Sequence, residues 1–527
     1  MKYKVLVVDK FNQKGIDLIN SHEDIELTKI EKIDNTELEK IIMPYHALIT
    51  RSQNAITKKL LSRASNLKII GRGGVGIDNI DIDEATRLGI MVVNTPEANI
   101  VSAAELTLAL MLSLSRKILS ADLDIRKGQW KREKYIGHEF FNKTIGIIGL
   151  GRVGSRVATI CNSFKMKVIT YDPYIPKKKA DDLGVIMHDL NSLLENSDYI
   201  SIHTPLNKET LNMISEKEIS KMKAGVFVIN AARGGIINEN ALIENLENGK
   251  IQGAGIDVYE NEPISDHKLF QFENVVLTPH IGANTHEAQE RVSTDLVDSI
   301  VNGLKGMAVV NAVNLPFTLD SQSEQYLPYM NLAEKMGKFA VQFIEKPILN
   351  VTLSAFGDIK EYSSIMLTCF IKGIFSQIMS DSVNYVNVNQ IAKERNLELK
   401  SVSSAEKSDY KNLIKVDLVY EGGETTISGS VFGEDHPRII NIDDYHIEIK
   451  PIGKKLVIKN LDVPGVIGKI GTIMGNSNVN IEEYFLAKKQ KSDLALAIIS
   501  LDSQIDYKAL KQLKDFKNIQ FLKEVSL

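Results

Sequence analysis

Cysteine is almost missing: 527 residues contain two, Cys161 and Cys369. Two cysteines build neither a disulfide framework nor a zinc cage, so a reducing cytoplasm suits the chain and no metal site is expected. Long apolar runs are missing too. "LTLALMLSLS" is among the longest, and it is half of the ~20 residues that span a bilayer. The opening "MKYKVLVVDK" has too short an apolar run for a signal peptide and reads as a first strand. Charge of one sign is not in excess: the net charge is -4. That excludes a basic nucleic-acid face and a basic membrane surface.

What is present is an ordinary globular composition, 43% hydrophobic and 25% charged. At ~100–200 residues per domain the length predicts three or four domains. Up to about residue 315, short Val- and Ile-rich runs alternate with helical stretches. The runs are "YKVLVVD", "HALIT", "LKIIG", "IMVVN", "TIGIIG", "KVITYD", "YISIH", "VFVINA", "GAGIDV" and "NVVLTP". Runs with few charges suit parallel strands covered on both faces, so the alternation predicts a doubly wound α/β sheet. Ser102-Ala103-Ala104-Glu105 reads as a capping box at a helix start. From 316 to 452 the pattern becomes strands and hairpins around one or two helices, an α+β domain. From 453 to 527 the order is β-α-β-β-α-β, the split-βαβ pattern.

G-x-G-x-x-G occurs twice. Gly149-Leu150-Gly151-Arg152-Val153-Gly154 follows a strand, opens a helix, and precedes a second strand ending in Asp172. That context is the dinucleotide fingerprint. Its glycines admit a pyrophosphate to the backbone, and the helix N-terminus stabilises the charge. Asp172 accepts from ribose hydroxyls and repels a 2′-phosphate, so NAD is predicted over NADP. The other copy, Gly71-Arg72-Gly73-Gly74-Val75-Gly76, leads into no amphipathic helix and is rejected as a nucleotide loop. Its Arg72, in close-approaching backbone, either meets an anionic substrate or is a solvated loop arginine.

Three further strand ends carry Arg233 before Gly234-Gly235, Glu262 before Pro263, and His280 after "LTP". Ligands of open α/β sheets bind beyond the carboxyl ends of strands. Arginine there suits a bidentate grip on a carboxylate. A histidine beside a glutamate has its imidazolium stabilised and can take a hydroxyl proton. Taken singly, Arg233 could be a surface charge, Glu262 a cap and His280 a core histidine.

The segments "GLGRVGSRVA", "NAARGGIINENAL", "DVYENEP" and "TPHIGANTHEAQ" resemble the D-isomer-specific 2-hydroxyacid dehydrogenase family, over residues 1 to 315. The resemblance implies that His280 is the proton carrier, Glu262 its partner and Arg233 the substrate clamp. It implies an NAD-binding Rossmann domain, 98–286, inserted in a flavodoxin-like substrate domain, 1–97 and 287–315. His203, Thr204, Pro205, Ala231, Asp257 and Gly282 are then expected along the cofactor with Arg233 and His280, and Val75 beside them. "LITRSQNAIT", "IIGRGGVGIDNIDIDEAT" and "GQWKREKYIG" narrow the implied substrate to 3-phosphoglycerate. Arg51, Ser52, Arg72, Gly73, Gly74 and Asn99 would hold it, and Arg132 lies where relatives can reach a neighbouring subunit's site. Glyoxylate or 2-oxoglutarate as substrate, or an NAD-sensing module without catalysis, are the alternatives. Asn284 stands where the family usually has Ser.

The split-βαβ unit, with "NLDVPGVIGKIGTIMGNSNVNI", resembles a ferredoxin-like ACT domain. Asn460, Asp462 and Asn480 fall at its small-ligand positions, which implies L-serine as a regulator or a purely dimerising domain. The middle unit resembles an intervening regulatory domain in which His436 and Arg438 meet an anion or form a structural loop. By the same likeness the protein is a homo-oligomer, a dimer or tetramer.

Overall fold

The computed structural model describes residues 2–307, 309, 311–317, 323–379, 383–406, 408–489 and 492–527. The first sheet is all parallel. Its strands are β1 (Tyr3–Val8), β2 (Ile25–Ile30), β3 (Ala47–Thr50), β4 (Ile69–Arg72) and β5 (Met91–Val93), in the order β2-β1-β3-β4-β5. Helix His286–Leu304 returns to this sheet, and its Leu296, Val297, Ile300 and Val301 join Val5, Val7, Ile49 and Ile69 in one core.

The second sheet holds β6 (Thr144–Ile148), β7 (Lys167–Tyr171), β8 (Ile186–Met187), β9 (Tyr199–Ile202), β10 (Val226–Asn230), β11 (Ile251–Ile256) and β12 (Val275–Leu277). It too is parallel, in the order β12-β11-β10-β9-β6-β7-β8. The strand order reverses between β6 and β9, and ligands of such sheets bind outside that switch point. All ten expected strands form. β2 and the two-residue β8 were not foreseen.

The helix assigned to the capping box starts earlier, spanning Ile100–Ser115 with Asn99 as its N-cap. Ser102 is already inside it and buried, its hydroxyl donating 3.0 Å to the Asn99 carbonyl. The capping reading is corrected on that ground: a serine in the first turn can spend its hydroxyl on a local carbonyl.

The third sheet runs β14-β13-β15-β16-β17-β18, with β13 (Ile348–Gly357), β14 (Glu398–Ser404), β15 (Asn412–Tyr420), β16 (Gly423–Phe432), β17 (His436–Ile442) and β18 (Tyr445–Ile449). Three helices accompany it rather than one or two: Leu327–Ile344, Ser363–Ile378 and Val388–Glu394. The last sheet, β20-β21-β19-β22, uses β19 (Lys454–Leu461), β20 (Ile481–Lys488), β21 (Leu494–Leu501) and β22 (Ile519–Ser526). With helices Val466–Asn476 and Tyr507–Lys514 between strands, it has the ferredoxin-like order. One face of this sheet packs its own helices through Leu456, Ile458 and Ile499. The other face is also buried: Val457, Leu496, Ile498 and Val525 share a core with Phe339, Phe343 and Met336 of helix Leu327–Ile344. Gln342 clasps β22, donating to the Ser526 carbonyl at 3.0 Å and accepting from its amide at 2.9 Å.

Candidate active site

Between the first two sheets lies a cleft of about 550 Å³. It is lined from both sides: Arg51, Ser52, Arg72, Gly73, Gly74 and Val75 from the first, Ala231, Arg233, Asp257, Glu262, His280 and Gly282 from the second, with Asn99 between them. Every one of these was singled out in the sequence.

The histidine is fixed by its own backbone. His280 follows β12 in the left-handed region, φ 53°, and its amide donates 2.9 Å to the Asp257 carbonyl. The ring meets Glu262 at 2.7 Å, Nδ1 to Oε2. Glu262 also accepts from the Tyr259 amide at 3.0 Å. Burial raises the Glu262 pKa, but the His280 contact and that amide outweigh it and hold the carboxyl below its usual range. An ionised carboxylate therefore orients the imidazole and leaves Nε2 for substrate.

Asp257 lines the cleft, where a cofactor contact is expected of it, and it also holds a loop together. Its carboxylate is buried and already taken: Oδ1 accepts from Thr278 Oγ1 at 2.6 Å and the Ile281 amide at 2.8 Å, Oδ2 from the Gly282 amide at 3.0 Å. It builds the loop that presents His280. Asp257→Asn turns an NH2 towards one of these donors, and an unmatched buried pair costs about 2 kcal/mol. The expected result is a lower thermal midpoint and a lower kcat together. A melting scan that leaves the midpoint unchanged would remove Asp257 from this role.

Three guanidiniums converge in the cleft, Arg51 and Arg72 from the first sheet and Arg233 from the second. Arg72 is half-buried, and its desolvation, with Arg233 and Arg51 nearby, draws its pKa down to about 10. Its Nε has no hydrogen-bond partner. Arg233 pairs with Asp78 at 3.5 Å and is shaped by Asn230, whose side chain spans the turn to the Arg233 carbonyl at 2.9 Å. Packed cations with an orphaned N–H make a site for a polyanion. Sequence reading missed Asp78, Asn230, Lys10 and Gln289. Gln289 bonds Asn284, which occupies the position usually held by Ser.

The glycine loop adjoins the cleft. Gly149 has φ +94°, and Gly151 has open space where a Cβ would be. A Cβ on Gly154 would lie 2.0 Å from the Gly149 carbonyl oxygen. Arg152 and Val153 open helix Arg152–Ser163, and Arg152 reaches Glu97 at 3.4 Å. Asp172 follows β7, with Oδ2 accepting from the Leu150 amide at 2.8 Å. Nearby, His203 is half-buried with its ring against Ser201, and desolvation pulls its pKa down to about 4, so the ring is neutral. Beside Pro205, the buried Thr204 hydroxyl has no partner, and neither has Asn99 Oδ1. A close-approach backbone, an acid at the second strand end and orphaned polar atoms fit NAD.

Other expected residues stay apart. Arg132 is exposed on the 3-10 turn Arg132–Tyr135 and does not line this cleft. His436 and Arg438 belong to β17, paired with Phe432 and Ser430, so the loop alternative is corrected. Arg438 meets Glu448 at 3.7 Å. In the last sheet Asn460 is buried with Oδ1 unpartnered, Asp462 pairs with Lys488, and the Asn480 amide donates to Asp502 at 3.0 Å. No group able to hold a metal occurs among the described residues.

Comparison with known proteins places these features. Residues 108–282 match the NAD binding domain of D-isomer specific 2-hydroxyacid dehydrogenases, and 325–443 the D-3-phosphoglycerate dehydrogenase intervening domain. A D-3-phosphoglycerate dehydrogenase of Archaeoglobus fulgidus is 41% identical over 91% of this chain and 91% of its own. One of Bacillus subtilis is 36% identical over 100% of both. A solved D-lactate dehydrogenase of Aquifex aeolicus, complexed with NAD and lactic acid, aligns at TM-score 0.52 and 31% identity, covering 57% of this chain and 96% of that one. A histidine–glutamate pair, clustered arginines and a glycine loop of the dinucleotide type suit an NAD-dependent dehydrogenase of hydroxy acids. The chain belongs to the D-3-phosphoglycerate dehydrogenase family of D-isomer specific 2-hydroxyacid dehydrogenases.

Proposed function

We propose that this protein oxidises D-3-phosphoglycerate to 3-phosphohydroxypyruvate, the first step towards L-serine from that phosphorylated precursor. The observation that carries the reading is the His280–Glu262 pair, with Arg233 on its side of the cleft, facing Arg51 and Arg72. Gly149, Gly151, Arg152, Val153, Gly154 and Asp172 hold NAD with His203, Thr204, Pro205, Ala231 and Gly282. Bound there, NAD supplies the hydride acceptor. His280 takes the hydroxyl proton through Nε2, and ionised Glu262 stabilises the imidazolium. Arg233 grips the carboxylate, while Arg51, Ser52 and Arg72 hold the phosphate against Gly73, Gly74 and Asn99.

The working chain is a cytoplasmic homo-oligomer. Ile118, Leu119, Leu123, Ile125, Trp130 and Ile136 are all exposed, an apolar surface suited to a second copy. Arg132 lies in that surface, where it can approach a neighbour's cleft. Residues 1–97 with 287–315 form the substrate domain, 98–286 the nucleotide domain, 316–452 the intervening domain and 453–527 the ACT domain. Asn460, Asp462 and Asn480 receive L-serine, which the unpartnered Asn460 oxygen supports, and His436 with Arg438 an anion.

Initial rates of NADH oxidation with 3-phosphohydroxypyruvate, glyoxylate and 2-oxoglutarate test the reading in wild type and Arg51→Ala. A preference for the phosphorylated substrate, reduced about 100-fold in the variant, is expected for the loss of a charge-assisted pair. Equal wild-type rates on all three would move the protein to a broader hydroxyacid specificity.

A further inference from the structure

The phosphate end of the cleft holds one cation that the arginines leave unexplained. Lys10 lines the same cavity as Arg51, Ser52 and Arg72, yet is exposed and two residues past β1. Its backbone is held on both sides. Before it, Asp9 takes the left-handed region, φ 85°, with its amide donating 3.2 Å to the Ile30 carbonyl. After it, Phe11 packs against Gly15, where a Cβ would come within 2.5 Å of the ring. Asn12 then caps helix Gln13–Asn20 by accepting from the Lys14 amide at 2.9 Å. The lysine thus has a fixed root and a free ammonium.

Asp9 couples that root to the arginines. Its carboxylate is buried, and Oδ2 accepts from the Arg51 amide at 3.0 Å. The Gln53 amide also contributes to the hold. One buried carboxylate therefore ties the end of β1, with Lys10, to the end of β3, with Arg51. Glu31, a carboxylate that feels the Lys10 charge, already pairs with Lys29 at 2.9 Å. Of the carboxylates lining the cavity, Glu262 and Asp257 belong to the His280 side and Asp78 pairs with Arg233.

We infer that Lys10 is a third cationic ligand of the substrate phosphate, closing the subsite from the solvent side, with Asp9 positioning Lys10 and Arg51 against each other. The inference rests on the proposed substrate. A phosphate dianion has more acceptors than two guanidiniums fill, and a lysine on a flexible stem meets it as a point charge. Substrates without the phosphate do not reach this end.

The test compares 3-phosphohydroxypyruvate with hydroxypyruvate as substrates of NADH oxidation, with inorganic phosphate as competitive inhibitor. Wild type, Lys10→Gln, Lys10→Arg and Asp9→Asn are measured in the full chain. Lys10→Gln is expected to raise KM for 3-phosphohydroxypyruvate and Ki for phosphate about tenfold. KM for hydroxypyruvate and both kcat values stay unchanged, and Lys10→Arg recovers most of the loss. Asp9→Asn shows the same split between substrates. A phosphorylated-substrate KM unchanged in Lys10→Gln, or a rise shared equally by both substrates, overturns the role of Lys10 while leaving the substrate reading standing. A wild type that does not prefer the phosphorylated compound overturns both.

Discussion

His280→Asn is expected to lower kcat about 100- to 10,000-fold, the usual contribution of a positioned general acid-base. Asparagine is close in size to the imidazole and can still make a hydrogen bond, but its amide neither takes up nor releases a proton near neutral pH. The left-handed backbone at residue 280 tolerates asparagine better than most side chains, so the loop stays intact. NADH affinity should therefore remain near that of wild type while turnover collapses. Stopped-flow and steady-state rates across pH, with NADH titrations by fluorescence, separate the two effects. A variant within fivefold of wild-type kcat would mean that another group carries the proton.

Gly154→Val acts on the other half of the chemistry. The added Cβ would lie 2.0 Å from the Gly149 carbonyl oxygen, closer than any real carbon approaches. Gly149 is itself at φ +94° and against the His203 backbone, so it has nowhere to retreat. The loop must open away from β6, taking with it the amides that meet a pyrophosphate. Overpacking of this kind costs ~3 kcal/mol, which as lost affinity is about 100-fold in the Kd for NADH. The third and fourth sheets share no core with this loop and should melt as before. An NADH Kd within threefold of wild type would show that the cofactor does not lie on this loop.

Much of this architecture was legible because parallel strands buried on both faces leave plain Val and Ile runs. β1 reads "YKVLVV" and β10 "VFVIN". β2 escaped notice because it is an edge strand: "IELTKI" buries only Ile25 fully and alternates apolar with polar residues. The two-residue β8 is too short to leave any pattern. In the site, His280, Glu262 and Arg233 were readable since each follows a strand run and neighbours a glycine or proline. Asp257 was read as a cofactor residue, and sequence does not reveal that three donors of one loop also converge on its carboxylate. Lys10 and Asn230 had no motif at all. Their significance comes from what stands across the cleft or the turn, and such neighbours are set by tertiary folding.

The shared core between helix Leu327–Ile344 and the last sheet makes those two parts inseparable in practice. A chain cut at the boundary near residue 452 would lay bare Val457, Leu496, Ile498 and Val525 on one fragment and Phe339 and Phe343 on the other. Both pieces would be sticky and short of stability. Anyone moving this C-terminal part onto another dehydrogenase should carry residues 323–527 as a single cassette, with the graft placed ahead of the helix. Gene fusions and losses in the lineage would be expected to respect the same seam.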